Sequence, residues 1–153
     1  MEDKVIVAAS GYFDPLHIGH VEYLREAKKL GDKLIVIVNN KKQTLMKKGF
    51  EFMPIKERIE IVKAMSFVDE VIESIDEDGS QCKTLEMLKP TIFAKGGDRF
   101  AYEIPETPIC RKYGIEIIEG LGKKIQSSSE LVKKSKELER KSTPGPGIEP
   151  GNP

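Results

Sequence analysis

Lys33-Leu34-Ile35-Val36-Ile37-Val38-Asn39 is an apolar, β-branched run with no polar alternation inside it. A run of this kind predicts a strand buried on both faces, as in a parallel sheet covered by helices on each side. Working outward, Val5–Ala9 is a second short β-branched run. Between the two, Val21, Leu24 and Ala27 recur at helical spacing, and Gly31 falls where a helix C-cap belongs. Downstream, Pro54 fits the first turn of a helix carrying Ile55, Ile59, Val62 and Met65 on one face. Val68–Ser74 reads as a third strand and Gln81–Leu88 as a short helix stopped by Pro90. Thr91–Lys95 and Ile115–Glu119 read as strands four and five, with a helix over 106–113 between them. Serines 127–129 then open a last helix reaching about Arg140. Five strands alternating with helices predict an α/β fold, a five-stranded parallel sheet with helices on both faces. Ligands of such sheets bind beyond the carboxyl ends of the strands, where the strand order reverses.

The chain has 153 residues, which predicts one domain with a core large enough to need no metal or disulfide staple. Lys and Arg number 25 against 25 Asp and Glu. That balance excludes a strongly cationic nucleic-acid binder and a polybasic membrane-surface protein. The longest apolar runs are about five or six residues, far below the roughly 20 that cross a bilayer, and the first four residues are no signal peptide. Cys82 and Cys110 form neither a CxxC pair nor a disulfide framework, so they are expected as reduced thiols in a cytoplasmic protein. Residues 142–153 hold four of the nine prolines and three of the thirteen glycines with little apolar content. They are expected to form a disordered tail after a folded domain over 1–141.

The stretch after the first strand is Gly11-Tyr12-Phe13-Asp14-Pro15-Leu16-His17-Ile18-Gly19-His20. Both histidines of the chain lie here, three apart, at the start of a helix. That spacing places the imidazoles as neighbours on one helical face. Gly19 between them leaves the backbone open to a bulky group, and the helix N-terminus supplies N–H groups and partial positive charge for an anion. The plainer account is two histidines that only cap a turn. A metal pair is another, but no third His or Cys is nearby. Following a buried strand and opening a helix favours an anion site.

This stretch resembles the HxGH signature of the cytidylyltransferase-like nucleotidyltransferases, and the resemblance runs from about Lys4 to Val132. It implies a Rossmann-like sheet and transfer of a nucleoside monophosphate from a nucleoside triphosphate to a phosphorylated small molecule. It further implies His17, His20 and Lys47 as catalytic residues, with Tyr12, Phe13, Asp14 and Gly19 lining the nucleotide. The second landmark is Asn39 to Gly49, read as a loop whose four lysines can fold over a polyphosphate. Family likeness puts a phosphate-binding lysine at Lys47, with Lys48 a competitor, and an arginine at Arg58. The third landmark, Lys95-Gly96-Gly97-Asp98, matches the glycine-acid motif of the nucleotide pocket, with Gly97 and Asp98 against the nucleotide. Its Gly-Gly-Asp form is most similar to the heptose-phosphate adenylyltransferase branch. The fourth is Ser127, Ser128 and Ser129, where the resemblance implies a β/γ-phosphate at a helix start. The Arg-Thr-Glu-Gly run of many cytidylyltransferases is missing before it.

The expected reaction is attack of the acceptor's phosphate oxygen on the α-phosphorus, with pyrophosphate leaving. A phosphate monoester has its second pKa near about 6 and is nucleophilic without a general base. Mg²⁺ is expected to arrive with the nucleotide, because no carboxylate cage for it is visible. The partners are thus a nucleoside triphosphate and a phosphorylated small molecule, with no nucleic acid and no membrane, and with room for a homodimer. ATP is favoured by the third and fourth landmarks. The alternatives are a cytidylyltransferase using CTP with glycerol 3-phosphate or a phospho-alcohol, a flavin or pantetheine-phosphate adenylyltransferase, and a non-catalytic nucleotide-binding module. A HIGH-type aminoacyl-tRNA synthetase shares the histidines, but this length leaves no tRNA-binding domain. Asp76, Glu77 and Asp78 are read as a solvated loop, and Tyr102 to Pro105 as a stretch that could line the acceptor pocket.

Overall fold

A computed structural model describes residues 4–96 and 104–121. Gly97, Asp98, Ser127, Ser128, Ser129, the helix expected after them and the 142–153 tail lie outside the described residues. Five strands are present: β1 Ile6–Gly11, β2 Lys33–Val38, β3 Glu70–Glu73, β4 Ile92–Gly96 and β5 Glu116–Leu121. All pair in parallel, in the order β3-β2-β1-β4-β5. The described helices are α1 Ile18–Lys28, α2 Lys41–Lys48, α3 Ile55–Lys63, α4 Cys82–Leu88 and α5 Thr107–Tyr113.

The unalternated run in β2 does what its pattern predicts. Leu34, Val36 and Val38 pack with Val7, Ala9, Leu24, Ala27 and Val62 in one core. Ile37 packs with Ala8, Leu85, Phe93, Ile104, Cys110 and Ile115 in the other. Helices α1 and α3 therefore cover one face, and α4 and α5 cover the opposite face. The chain builds outward from β1 to β3, returns to β4 and continues to β5, so the order reverses between β1 and β4. With one hand of crossover, that reversal moves the connecting helices to the other face.

Three local readings need correction. The lysine-rich stretch after β2 is a helix, α2, not a loop. Asn40 accepts from the Gln43 N–H at 2.9 Å, the Gln43 side chain accepts from the Asn40 N–H at 3.0 Å, and Gly49 ends the helix with φ +84°. The reciprocal cap satisfies two backbone donors that would otherwise lack partners, which offsets the weak apolar face of this segment. Gly31 is not the C-cap of α1; that position is Lys29, in right-handed helical conformation. Gly31 is needed because a Cβ there would stand 2.6 Å from the Val5 carbonyl oxygen. Asp76 is not solvated but buried, accepting from Lys83 and Thr84 N–H groups at 2.7 and 2.9 Å. It secures the start of α4. Cys82 and Cys110 are free thiols, Cys110 buried.

Candidate active site

The segment between β1 and α1 sits at the reversal point, over the carboxyl ends of β1 and β4. Tyr23 of α1 ties the two strands together there. Its hydroxyl donates to the Ala94 carbonyl at 2.7 Å and accepts the Ser10 N–H at 3.1 Å. Gly11 is required one step further on, because a Cβ would lie 2.8 Å from the tip of the Phe13 ring. Phe13 takes a left-handed φ of +50° and turns that ring into the core.

His17 and His20 close the start of α1 with a capping box built from two imidazoles. His17 Nδ1 accepts the Gly19 N–H at 3.0 Å, and His20 Nδ1 accepts the His17 N–H at 3.1 Å. The rings stack, with centroids 3.9 Å apart and planes 25° from parallel. Phe13 meets the His20 ring edge-on at 5.0 Å. A nitrogen that accepts from a backbone N–H carries no proton, so each neutral ring holds its proton on Nε2. Burial lowers the pKa of His17. Burial, with the charge of His17 adding to it, brings His20 down to about 4. Both rings are therefore neutral at pH 7, each a donor through Nε2–H. The capping account and the anion-site account are compatible, because capping uses only Nδ1 of each ring.

The structure places the other expected residues as follows. Tyr12 is half-buried, and Lys47 Nζ lies 4.9 Å from the centre of its ring. Lys47 is exposed, whereas Lys48 is bound to Asp14 through both the carbonyl and the carboxylate, the latter at 3.0 Å. That separates the two competing lysines, leaving Lys47 as the exposed ammonium beside the motif. Gly19 is buried in the first turn of α1.

The side chains of Phe13, Asp14 and Arg58 are engaged within the protein itself. Phe13 is 1% exposed and belongs to the core. Asp14 accepts the Phe52 and Met53 N–H groups at 2.8 and 2.6 Å besides Lys48. Burial alone would raise its pKa, but those N–H groups and the Lys48 ammonium outweigh it and hold the carboxyl below its ordinary range. Arg58 has a fully buried side chain. Its guanidinium donates to the carbonyls of Met53 at 2.9 Å, Tyr12 at 3.0 Å and Asn39 at 2.8 Å, and pairs with Glu51 at 2.5 Å. Asp14 and Arg58 thus fasten the α2–α3 connection to the ends of β1 and β2.

Sequence reading passed over Tyr23, whose role depends on strand neighbours far away in the chain. It also missed the Asn40/Gln43 cap, for which the Asn-x-x-Gln spacing was a readable signal. Among the described residues no group of three or more His, Cys, Asp or Glu is placed to hold a metal ion, and no helix is long and apolar enough to cross a membrane.

Comparison with known proteins agrees with this geometry. The profile of the cytidylyltransferase-like family matches residues 8–140. The chain is 39% identical over 134 residues to the FAD synthase of Ferroglobus placidus, covering 88% of this chain and 86% of that protein. It is 36% identical over 115 residues to the bifunctional protein HldE of Streptomyces coelicolor, covering 74% of this chain. It spans only 24% of the length of that HldE protein. A lipopolysaccharide core biosynthesis protein from Thermoplasma volcanium superposes with a TM-score of 0.65 at 30% identity, covering 76% of this chain and 96% of that one. Two imidazole donors at the reversal point, an exposed lysine beside them and a profile match over most of the chain lead to one assignment. The chain belongs to the cytidylyltransferase-like family of nucleotidyltransferases.

Proposed function

We propose that this chain transfers an adenylyl group from ATP to a phosphorylated small molecule and releases pyrophosphate. The observation that carries the reading is the double-imidazole cap, which sets the tautomer of both His17 and His20 at the sheet's reversal point by engaging Nδ1 of each ring. The acceptor phosphate oxygen attacks the α-phosphorus while the bond to the β-phosphate oxygen breaks, so no side chain need remove a proton. What the site must supply is fixed donors where negative charge grows, and neutral imidazoles held by their own backbone do so without reorganising. One such donor typically contributes about 3 kcal/mol to lowering the barrier. Lys47 meets the departing phosphates as a cation, and Asp14, Lys48 and Arg58 act as positioning residues beneath it. Mg²⁺ comes with the triphosphate as part of the substrate. Gly97, Asp98, Ser127, Ser128 and Ser129 are proposed to complete the nucleotide pocket.

ATP is preferred to CTP because the Lys95-Gly96-Gly97-Asp98 pattern lies nearest the adenylyltransferase branch, and because the chain is similar over most of its length to a FAD synthase, whose product contains an adenylate. Calorimetric titration with each nucleotide and Mg²⁺, paired with a pyrophosphate-release assay on phosphorylated acceptors, tests the reading. ATP binding with pyrophosphate release is expected. CTP binding about tenfold tighter than ATP, a difference of about 1.4 kcal/mol, overturns the choice of base. Nucleotide binding without release for any acceptor points to a binding module instead.

A further inference from the structure

Lys47 occupies the last turn of α2, and its ammonium lies 4.9 Å from the centre of the Tyr12 ring. Two other lysines of the helix face carboxylates: Lys42 meets Glu77 at 3.5 Å and Lys48 meets Asp14 at 3.0 Å. Among the described residues Lys47 pairs with no carboxylate. An exposed lysine ordinarily samples many rotamers, and in the last turn of a helix its ammonium is drawn back to the helix's own final carbonyls. Contact with Tyr12 draws it the other way, across to the segment between β1 and α1.

Tyr12 stands on a fixed main chain. It follows Gly11 at the end of β1, whose carbonyl accepts the Asn39 N–H at 2.9 Å. The Tyr12 carbonyl accepts from the Arg58 guanidinium at 3.0 Å, and the next residue, Phe13, is buried in the core. At the other end, the Gly49 N–H donates to the Leu45 carbonyl at 2.8 Å and closes α2 just after Lys47 and Lys48. Between these two anchored ends only the lysine stem is free to move. An aromatic partner also differs in kind from a carboxylate. A carboxylate at this place would neutralise the ammonium and repel an incoming phosphate. The face of a ring attracts a cation through its quadrupole, carries no net charge and leaves the ammonium's N–H groups free for conventional acceptors. The cation is thereby oriented while its charge and donors remain for an anion.

We propose that Tyr12 is a positioning residue that acts through Lys47: its ring holds the ammonium at the reversal point, where the outer phosphates of a nucleoside triphosphate arrive. This rests on the transfer reading above, which assigns Lys47 to the departing phosphates. The contribution is made before binding, since a lysine already held over the site loses less freedom when phosphate arrives. Cation–π contacts at exposed sites change a binding constant by about two- to fivefold, and by more when water leaves. Tyr12 therefore tunes triphosphate affinity through the cation it holds, which is distinct from lining the nucleotide itself.

A double-mutant cycle tests the coupling. The wild-type chain, Tyr12→Leu, Lys47→Met and the double variant are titrated with ATP and with CTP, each with Mg²⁺. The cycle is read on the nucleotide that the wild type binds more tightly. Tyr12→Leu is expected to weaken binding about fivefold when Lys47 is present and less than about twofold when it is Met. Tyr12→Phe keeps the ring and should stay within about twofold of wild type. A second measurement needs only the wild type: in proton spectra the Lys47 ε-methylene should lie upfield of an ordinary lysine, because it stands over a ring face. In Tyr12→Leu it should return to the ordinary position. An equal loss from Tyr12→Leu in both backgrounds makes the ring a direct nucleotide contact and overturns this inference alone. So does the absence of any loss from Tyr12→Leu or Lys47→Met, a Tyr12→Phe variant as weak as Tyr12→Leu, or an unshifted Lys47 methylene in the wild type. Failure of the wild type to bind either nucleotide overturns the transfer reading itself, whatever the Lys47 spectrum shows.

Discussion

His20 Nδ1 accepts the backbone N–H of His17 at 3.1 Å while the two rings stack at 3.9 Å, so the His17 main chain fixes the tautomer of His20, and stacking aligns the two rings. The proposed chemistry therefore uses the same side chains that cap α1. A substitution that deletes an imidazole removes a helix cap and a donor together, and the two effects have to be separated by the choice of residue.

Asn is an effective N-cap, so His17→Asn should keep the cap and lose the Nε2–H donor. Turnover is expected to fall about 100-fold or more, with stability within about 0.5 kcal/mol of wild type. His17→Ala should lose the same turnover and about 1 kcal/mol of stability as well. Urea titration beside initial rates checks both. Near-wild-type turnover in His17→Asn would remove the histidine from the chemistry.

The pKa shifts predict a specific pH response. His20, at about 4 when folded and near its ordinary 6.5 when unfolded, binds fewer protons in the native state between those values. Stability from this group is complete above pH 6.5 and is lost as pH falls toward 4, by an amount on the order of 3 kcal/mol. Denaturation midpoints measured from pH 7.5 to 4.5 should decline, and His20→Asn should flatten the decline. Activity should show no histidine ionisation near 6.5; its acid limb should follow the acceptor's phosphate, near about 6, and shift with the acceptor used.

Arg58 donates to three carbonyls and a carboxylate with its side chain fully buried, so Arg58→Met strands all of them. A stability loss of about 3–5 kcal/mol is expected. Guanidinium denaturation provides the measurement. A direct phosphate contact predicts the opposite pattern, weaker nucleotide binding in a protein of normal stability.

Gly31→Ala would press a Cβ to within 2.6 Å of a main-chain oxygen. The cost should be about 1–3 kcal/mol, and Gly31→Asn should cost at least as much. A left-handed C-cap would instead tolerate Asn better than Ala. Thermal unfolding of the two variants decides between these causes.

The five strands, their parallel arrangement and the place of the histidine motif were legible in local pattern, because a strand buried on both faces and a strand-to-helix turn with glycine leave their marks within about ten residues. Asn40 and Gln43 left such a mark too, in an Asn-x-x-Gln cap four residues wide at the start of a short helix that carries four lysines. What the chain could not disclose locally is which polar groups become engaged across the fold. Lys47 and Lys48 are alike in sequence; only the approach of Asp14 from the β1 loop separates an engaged ammonium from an exposed one. Nothing local in sequence shows that the Arg58 guanidinium is engaged by the ends of β1 and β2 and by the α2–α3 turn. Gly31 answers to the Val5 backbone 26 residues earlier, and Gln81 and Glu106 become neighbours only when α4 and α5 settle on one face. Secondary structure follows from short-range pattern, whereas satisfaction of a buried polar group is a property of the packed whole, and the division between the two accounts follows from that difference.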